Sequence, residues 1–422
     1  MSRLLPDFTP VQGNPALRRL LTGQLISSLG GTMTMYAITL QIWDQTRSSF
    51  AVGALGFTFI PVLAFGLFGG SVADSADRKR LALSTISGLT VISALLAAQA
   101  FTNFGQVWPL YVLAMGQGIL QSMGAPARRT FIPHLVPKEK LTAAIALNTL
   151  ASRVTMLFGP ALAGVVTGAF GLKACYLIDA ISFFAAFYAT ARLPSMRRDP
   201  DAPRPASRLR ATAEGLRYIR RSPLLTGMFL TDLDAMLFGL PVALFPALNA
   251  EHFGGHPQTL GLLTTAVGVG GVATAVLSGR TIRVRRQGLG MILATAVWGA
   301  AFAVFALMRS FPLALLMLAI AGAADTLTVT FRSSMVQTVT PDEFRGRISS
   351  VEYIIGFGGG PLGNIESGTV ASLTGSPTIS AFSGGAACFV GAALIGIAFP
   401  ALVRYGRESR EPVPETAEVT AS

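Results

Sequence analysis

The sequence predicts an all-α membrane protein: twelve spanning helices in two six-helix bundles related by a pseudo-twofold axis. Three observations predict it. Hydrophobic residues make up 51% of the 422 and charged residues only 13%, against roughly a quarter charged in a soluble domain. The chain repeats itself at an interval of about 204 residues. Leu20-Leu21-Thr22-Gly23 returns as Leu224-Leu225-Thr226-Gly227, and Arg128, Pro137 and Glu139 return as Arg332, Pro341 and Glu343. Gly159-Pro160 returns as Gly360-Pro361, an interval three residues shorter that calls for a small gap between the copies. Lys and Arg, finally, gather on alternate loops.

The spans are helices because backbone groups cannot go unpaired in lipid, and the short alternating segments of a β-barrel are absent. About 20 apolar residues cross the hydrocarbon layer. Span 1 (20–43) is the first charge-free run; it is too long, and Met1 to Arg19 too polar, for a cleavable leader. Span 2 (50–73) runs from beyond Arg47 to Asp74. The uncharged stretch 81–127 holds two spans, 81–101 and 107–127, parted by Thr102 to Gln106. Span 5 (142–169) follows Lys140, and span 6 (174–192) follows Lys173. The second copy supplies spans 7 to 12 at 224–250, 258–279, 287–308, 311–331, 348–372 and 378–403, the last two parted by Thr374 to Thr378. Parallel repeats in a membrane protein point to a transporter that rocks about a central site.

The domains expected are an N-terminal bundle (1–193), a linker (194–223), a C-terminal bundle (224–404) and a polar tail (405–422) that lacks the apolar content to fold. In the linker, Leu209, Leu216 and Ile219 share a helical face while Arg208, Arg210, Arg217, Arg220 and Arg221 occupy the rest. That pattern predicts an amphipathic basic helix on an anionic inner leaflet, with membrane lipids as partners.

A net charge of +12 would suggest nucleic acid for a soluble chain. Here the outer loops carry only Arg47, Lys173 and Arg309, and Arg153 lies within a span. The remaining Lys and Arg sit in inner segments, so the positive-inside bias predicts a multi-pass protein of the cell membrane with both termini cytoplasmic and no nucleic-acid partner. Cys175 and Cys388 fall in spans and read as free thiols. His252 and His256 share an outer loop, but Gly254 and Gly255 between them argue against a metal site.

Between spans 2 and 3 stands Gly70-Ser71-Val72-Ala73-Asp74-Ser75-Ala76-Asp77-Arg78-Lys79-Arg80. A Gly, an Asp four positions on and a following basic group in this loop resemble the signature of the major facilitator superfamily. Asp77 in place of the usual second Gly resembles its drug and siderophore exporter branch. The resemblance covers the whole chain and implies a monomeric, proton-coupled exporter of a small amphiphilic compound, with no cofactor beyond the proton gradient. An importer or facilitator of a small metabolite, or a receptor that does not transport, keeps the same fold. No Gly-x-x-x-x-Gly-Lys-Ser/Thr loop, Gly-x-Ser-x-Gly elbow or His-Glu-x-x-His site occurs, so neither ATP-driven transport nor an enzyme is expected.

The physics of the motif is legible by itself. Asp74 ends span 2 at the inner face, where it can accept from Arg78 or Arg128 and face the positive N-terminal end of helix 11. Gly70, Asp74, Arg78, Lys79 and Arg128 thus form a candidate cytoplasmic gate. The matching loop of the second copy keeps Arg280, Arg283, Arg285 and Arg286 but has no carboxylate. Gly159-Pro160 in span 5 resembles the Gly-Pro motif of the superfamily's antiporters, and Gly358 to Gly368 resembles a stretch of the exporter branch. Gly159, Pro160, Gly360 and Pro361 are the candidate hinge.

Ionisable residues inside spans are costly and mark function. Asp232, Asp234, Asp325 and Glu366 are the proton-coupling candidates; Glu352 lies nearest the inner surface and is the least informative. Asp232 and Asp234 point to nearly opposite faces of helix 7, so one is expected in the cavity, trading a proton for a cationic substrate, and the other paired. The repeat sets them opposite Ser28 and Gly30. Arg153 and Asp179 are expected to form a structural ion pair. Gln24, Tyr36, Gln117 and Gln121, with Gln41, are candidate hydrogen-bonding groups for the small-molecule substrate.

Overall fold

The computed structural model describes residues 7–65, 77–194, 208–239, 241–281 and 284–406. Each expected span falls on helix within them. In span order these are α1 (Pro15–Thr46), α2 (Ser49–Phe65), α3 (Arg78–Phe101), α4 (Trp108–Arg129), α5 (Lys138–Phe170) and α6 (Leu172–Ala191) in the first bundle. The second holds α7 (Pro223–His252), α8 (Pro257–Thr281), α9 (Gln287–Leu307), α10 (Phe311–Val339), α11 (Asp342–Thr374) and α12 (Pro377–Ala398). Eight of the described helices are long and apolar enough to cross a membrane. "Inner" below denotes the end bearing the Arg-rich loops and "outer" the opposite end.

Local chemistry sets the helix ends. Asn14, Asp77, Ser222 and Ser376 cap α1, α3, α7 and α12 with their side chains, satisfying N–H groups that have no partner within the helix. Proline opens α1, α7, α10 and α12, where its missing N–H costs nothing. Gly171 and Gly375 close α5 and α11 with φ of 79° and 67°, angles that disfavour a side chain. α7 is interrupted: it runs to Phe238, tightens into a 3-10 turn at Val242–Leu244 and resumes at Phe245.

The repeat is more regular than the sequence reading allows. α5 and α11 both have 33 residues, and Lys138, Phe170 and Gly171 correspond to Asp342, Thr374 and Gly375 without a gap. Gly159-Pro160 and Gly360-Pro361 are therefore not equivalent positions: Pro361 sits three residues, nearly one turn, further from the outer end than Pro160. The packing keeps the same register. At the inner end, buried Ala127, Phe131, Ile132, Ala144 and Leu147 of one core match buried Phe331, Met335, Val336, Ile348 and Val351 of the other.

The bundles meet at their outer ends. Tyr36 Oη of α1 donates to Pro257 O of α8 at 2.5 Å. Glycines permit the backbones to touch: a Cβ on Gly164 would lie 2.7 Å from Pro257 O, one on Gly368 2.7 Å from Ser49 O, and one on Gly53 would collide with Asn364 O. Close approach through small residues is how helices associate where no hydrophobic effect drives them. These contacts close the outer side between the two bundles.

The linker helix (Arg208–Arg221) docks on the second bundle. Ile219 is buried in the inner core of the second bundle, Tyr218 stacks on Phe344 at 4.3 Å, and Glu214 pairs with Arg347 at 3.0 Å. Its apolar face is thus partly taken by the start of α11, leaving Leu216, Arg217, Arg220 and Arg221 exposed.

Candidate functional site

Two polar regions lie toward the inner ends, one in each bundle. The first is a cavity of about 780 Å³ bounded by α1, α3, α4, α5 and α6. Its polar lining includes Gln24, Ser28, Gln121, Arg128, Asn148 and Ser152, with Arg129 at the inner end, and among the described residues none of its lining is acidic. Arg128 Nη2 donates to Gln121 O at 2.9 Å. Among the described residues no carboxylate reaches the Arg128 guanidinium.

The second is an ionic cluster. Arg332 of α10 pairs with Asp232 of α7, and its Nε lies 3.9 Å from Glu352 Oε1 of α11. Asp232 is 2% exposed. Asp325, two turns up α10, lies within electrostatic reach of Asp232, Arg332 and Arg153. Three carboxylates thus surround Arg332, with Arg153 approaching from the other bundle.

Several expected placements change. Arg153 and Asp179 do not pair. Asp179 is fully buried and its Oδ2 accepts from Thr34 Oγ1 at 2.8 Å and Ser93 Oγ at 2.7 Å, because α6 turns it toward α1 and α3 while α5 turns Arg153 toward Asp325. Asp232 is the paired member of its couple, but Asp234 does not line the cavity: its carboxylate packs on Gly391 of α12, and its Oδ2 is buried without a hydrogen-bond partner among the described residues. Glu366 is partly buried in the outer part of α11, in the stretch that meets α2.

Of the polar candidates, Gln24 and Gln121 line the cavity. Tyr36 belongs to the outer closure, because α1 carries it past the cavity to Pro257. Gln117 is 3% exposed, and its Nε2 has no partner among the described residues. Gln41 is held in a reciprocal amide pair with Gln99, at 3.0 and 3.1 Å, and accepts from Tyr176 Oη at 2.7 Å. Gly70 and Asp74 lie outside the described residues. Arg78 opens α3, and Lys79 Nζ donates to Leu193 O at 2.5 Å.

Sequence reasoning passed over the role of Arg332 and Glu352. Span 10 ended at residue 331 by hydropathy, yet α10 continues as helix to Val339, so Arg332 stands two turns inside it. The signal was present in the repeat, which already matched Arg332 to Arg128.

A family described as transmembrane secretion effector matches residues 6–419. An enterobactin exporter of Citrobacter koseri is 26% identical over 412 residues, 97% of this chain and 97% of its own length. One of Escherichia coli O81 is 27% identical over 421 residues, 99% and 98% of the two chains. Among solved structures, a POT family transporter in complex with 5-aminolevulinic acid superposes with a TM-score of 0.72 at 11% identity, over 93% of this chain and 97% of that one. A bacterial homologue of the iron transporter ferroportin, inward-facing, gives 0.66 at 17% identity over 93% and 99%. At these identities the structural likeness is one of fold.

Proposed function

The chain belongs to the transmembrane secretion effector family of the major facilitator superfamily, and from that premise we propose that it exports a small amphiphilic compound of the siderophore or drug class in exchange for protons. It is a multi-pass membrane exporter and not an enzyme. Its fold needs no cofactor, and the proton gradient is the proposed energy source. The two relatives named above are exporters of enterobactin over nearly their whole length, which supports a siderophore-like cargo and the outward direction.

The observation that carries proton coupling is the charge count around Arg332. Asp232, Asp325 and Glu352 bring three negative charges to a largely buried site that Arg332 and Arg153 offset only in part. Uncompensated charge in a membrane interior is costly, so a proton on one carboxylate is the natural third cation. Asp232 is committed to Arg332, which leaves Asp325 as the leading carrier, ahead of Glu352; Asp234 and Glu366 stand apart from the cluster. Because Arg153 crosses from the first bundle, protonation at Asp325 would weaken a contact between the halves and so bias their rocking.

In this reading Gly70, Asp74, Arg78, Lys79 and Arg128 form the latch of the outward-open state, Gly159, Pro160, Gly360 and Pro361 flex, both termini are cytoplasmic, and the chain works as a monomer. The test is enterobactin uptake into inverted vesicles under an imposed proton gradient. The wild type accumulates it in proportion to the gradient. Asp325→Asn keeps gradient-free counterflow but loses accumulation. Uptake that ignores the gradient in the wild type sinks proton antiport.

A further inference from the structure

The two halves carry the same inner-end arginine in opposite electrostatic settings. The gapless register set by α5 and α11 matches Arg128 to Arg332, Ser28 to Asp232, Gln121 to Asp325 and Asn148 to Glu352. The matched buried cores on either side of these residues fix that register independently. Every carboxylate around Arg332 is therefore a neutral polar residue around Arg128. All four residues of the first-half set line the cavity.

The consequence is an arginine presented to an open space with its counter-charges removed. A guanidinium has five N–H donors in a fixed fork. The Arg332 fork is directed at Asp232 and Glu352, whereas the Arg128 fork gives one hydrogen bond, to the Gln121 carbonyl, among the described residues. Arg129 adds a second positive charge, and among the described residues no lining residue is negative. Ser28, Asn148 and Gln121 can still donate or accept at the positions where the carboxylates would stand. Apolar Leu25, Met35, Ile86, Leu89 and Phe183 wall the rest.

We infer that this cavity takes an anionic amphiphile, its oxyanion seated on Arg128 where the second half seats its own carboxylates, and its apolar body against α1, α3 and α6. The inference deepens the export reading and rests on the cavity being the substrate site. It reverses the cationic cargo expected from the acids of α7: those acids are consumed by Arg332, and the charge left for a ligand to meet is positive. Planar oxyanions suit the fork because two parallel N–H donors meet two oxygens.

The test is binding of tritiated 2-naphthoate and of its methyl ester to the purified full chain in detergent, with no gradient present. The carboxylate binds at least tenfold tighter than the ester. Ser28→Asp, which writes the Asp232–Arg332 pair into the first half, abolishes that preference, and Ser28→Asn, of the same size, keeps it. Arg128→Gln abolishes the preference and Arg128→Lys retains part of it, so a poorly folding variant at one position does not remove the test at the other. Equal affinity for the two probes, no binding of the carboxylate, or an unchanged preference in Ser28→Asp overturns the inference. Anion-selective binding without gradient-driven accumulation would instead overturn proton antiport and leave this inference standing.

Discussion

Arg128 and Arg332 occupy the same place in two bundles whose inner cores share a matched set of buried residues, yet one arginine is enclosed by acids and the other faces a cavity. Shape and charge have diverged independently. The apolar set must fill the same space in both halves, so Ala127, Phe131 and Ala144 are answered by Phe331, Met335 and Ile348, differing in volume but never in burial. The charges answer to different partners. In the second half the protein supplies its own anions, and the cluster ties α7, α10 and α11 together. In the first half a ligand can supply them, and α1, α4 and α5 surround open volume instead. In the proposed mechanism the duplication provides the rocking scaffold, and the exchange of three acids for Ser28, Gln121 and Asn148 separates a ligand-receiving half from a coupling half.

The largest way to break this comparison is to make the second half resemble the first. Asp232→Ser leaves Arg332, whose side chain is 11% exposed, without its close partner, and removing one member of a buried pair costs about 3–5 kcal/mol. Thermal unfolding of the detergent-solubilised protein should register that loss. Asp232→Leu combined with Arg332→Met should recover most of it, since apolar replacement of both partners is often neutral. A double variant as unstable as the single would mean that the pair does not set the stability of α7 against α10.

The outer ends offer a second contrast, of polar against apolar cement. Gln41, Gln99 and Tyr176 knit α1, α3 and α6 by hydrogen bonds. The position matching Gln41 is Phe245, which meets Phe302 and Phe305 at 6.5 and 5.7 Å between ring centroids. Gln41→Leu strands the buried Gln99 amide and should cost about 1–3 kcal/mol. Gln41→Leu with Gln99→Leu should recover part of that loss, because only the Tyr176 hydroxyl is then left unpaired. Denaturation midpoints of the two variants decide it, and a double variant no better than the single would show that the amides matter for shape alone.

How much of this was legible beforehand differs by level. The spans, their order and the repeat were readable because hydropathy and length are one-dimensional properties that a bilayer imposes directly. Positions near the inner ends were not. Arg332 falls to the loop by hydropathy because α10 continues for two turns beyond its apolar run, and Glu352 was set aside for lying close to the inner surface. Arg153 and Asp179 were expected to pair as opposite charges inside neighbouring spans, yet the sequence says nothing about azimuth: Asp179 turns to the hydroxyls of Thr34 and Ser93. Gly360-Pro361 was matched to Gly159-Pro160 on identity, and only the equal lengths of α5 and α11 show them one turn apart.

The seam between the halves can be tested for its part in conformation. A Cβ at Gly53 of α2 would meet Asn364 O and the Gly368 backbone of α11, and inserting bulk where backbones touch typically costs 1–3 kcal/mol. Gly53→Val should therefore weaken the outer closure and shift the population toward the outward-open state by about tenfold, or about 1.4 kcal/mol. Labelling of a cysteine placed at Gln258, beside the α5–α8 seam, reads the shift, with Cys175 and Cys388 buried and silent. Unchanged labelling would mean that α5 and α8, and not α2 and α11, hold the outer side shut.

The smallest effect concerns the segment that precedes each bundle. Before α1, Asn14 Nδ2 donates to Leu135 O at 2.6 Å; before α7, a whole helix docks on α11 through Ile219, Tyr218 and the Glu214–Arg347 pair. Both members of that pair are about one-third exposed, so Glu214→Gln should lower stability by only about 0.2–1 kcal/mol. The difference from wild type should vanish in molar salt, which screens exposed charges. Tyr218→Ala, which removes a stacked ring worth about 0.5–1.5 kcal/mol beyond its buried area, should by contrast stay destabilising at any ionic strength. Melting curves at low and molar salt separate the two. If Glu214→Gln proves the more damaging and Tyr218→Ala the salt-sensitive one, the linker is fastened by charge and not by its aromatic and apolar contacts, and its asymmetric docking would belong with the charge divergence of the halves.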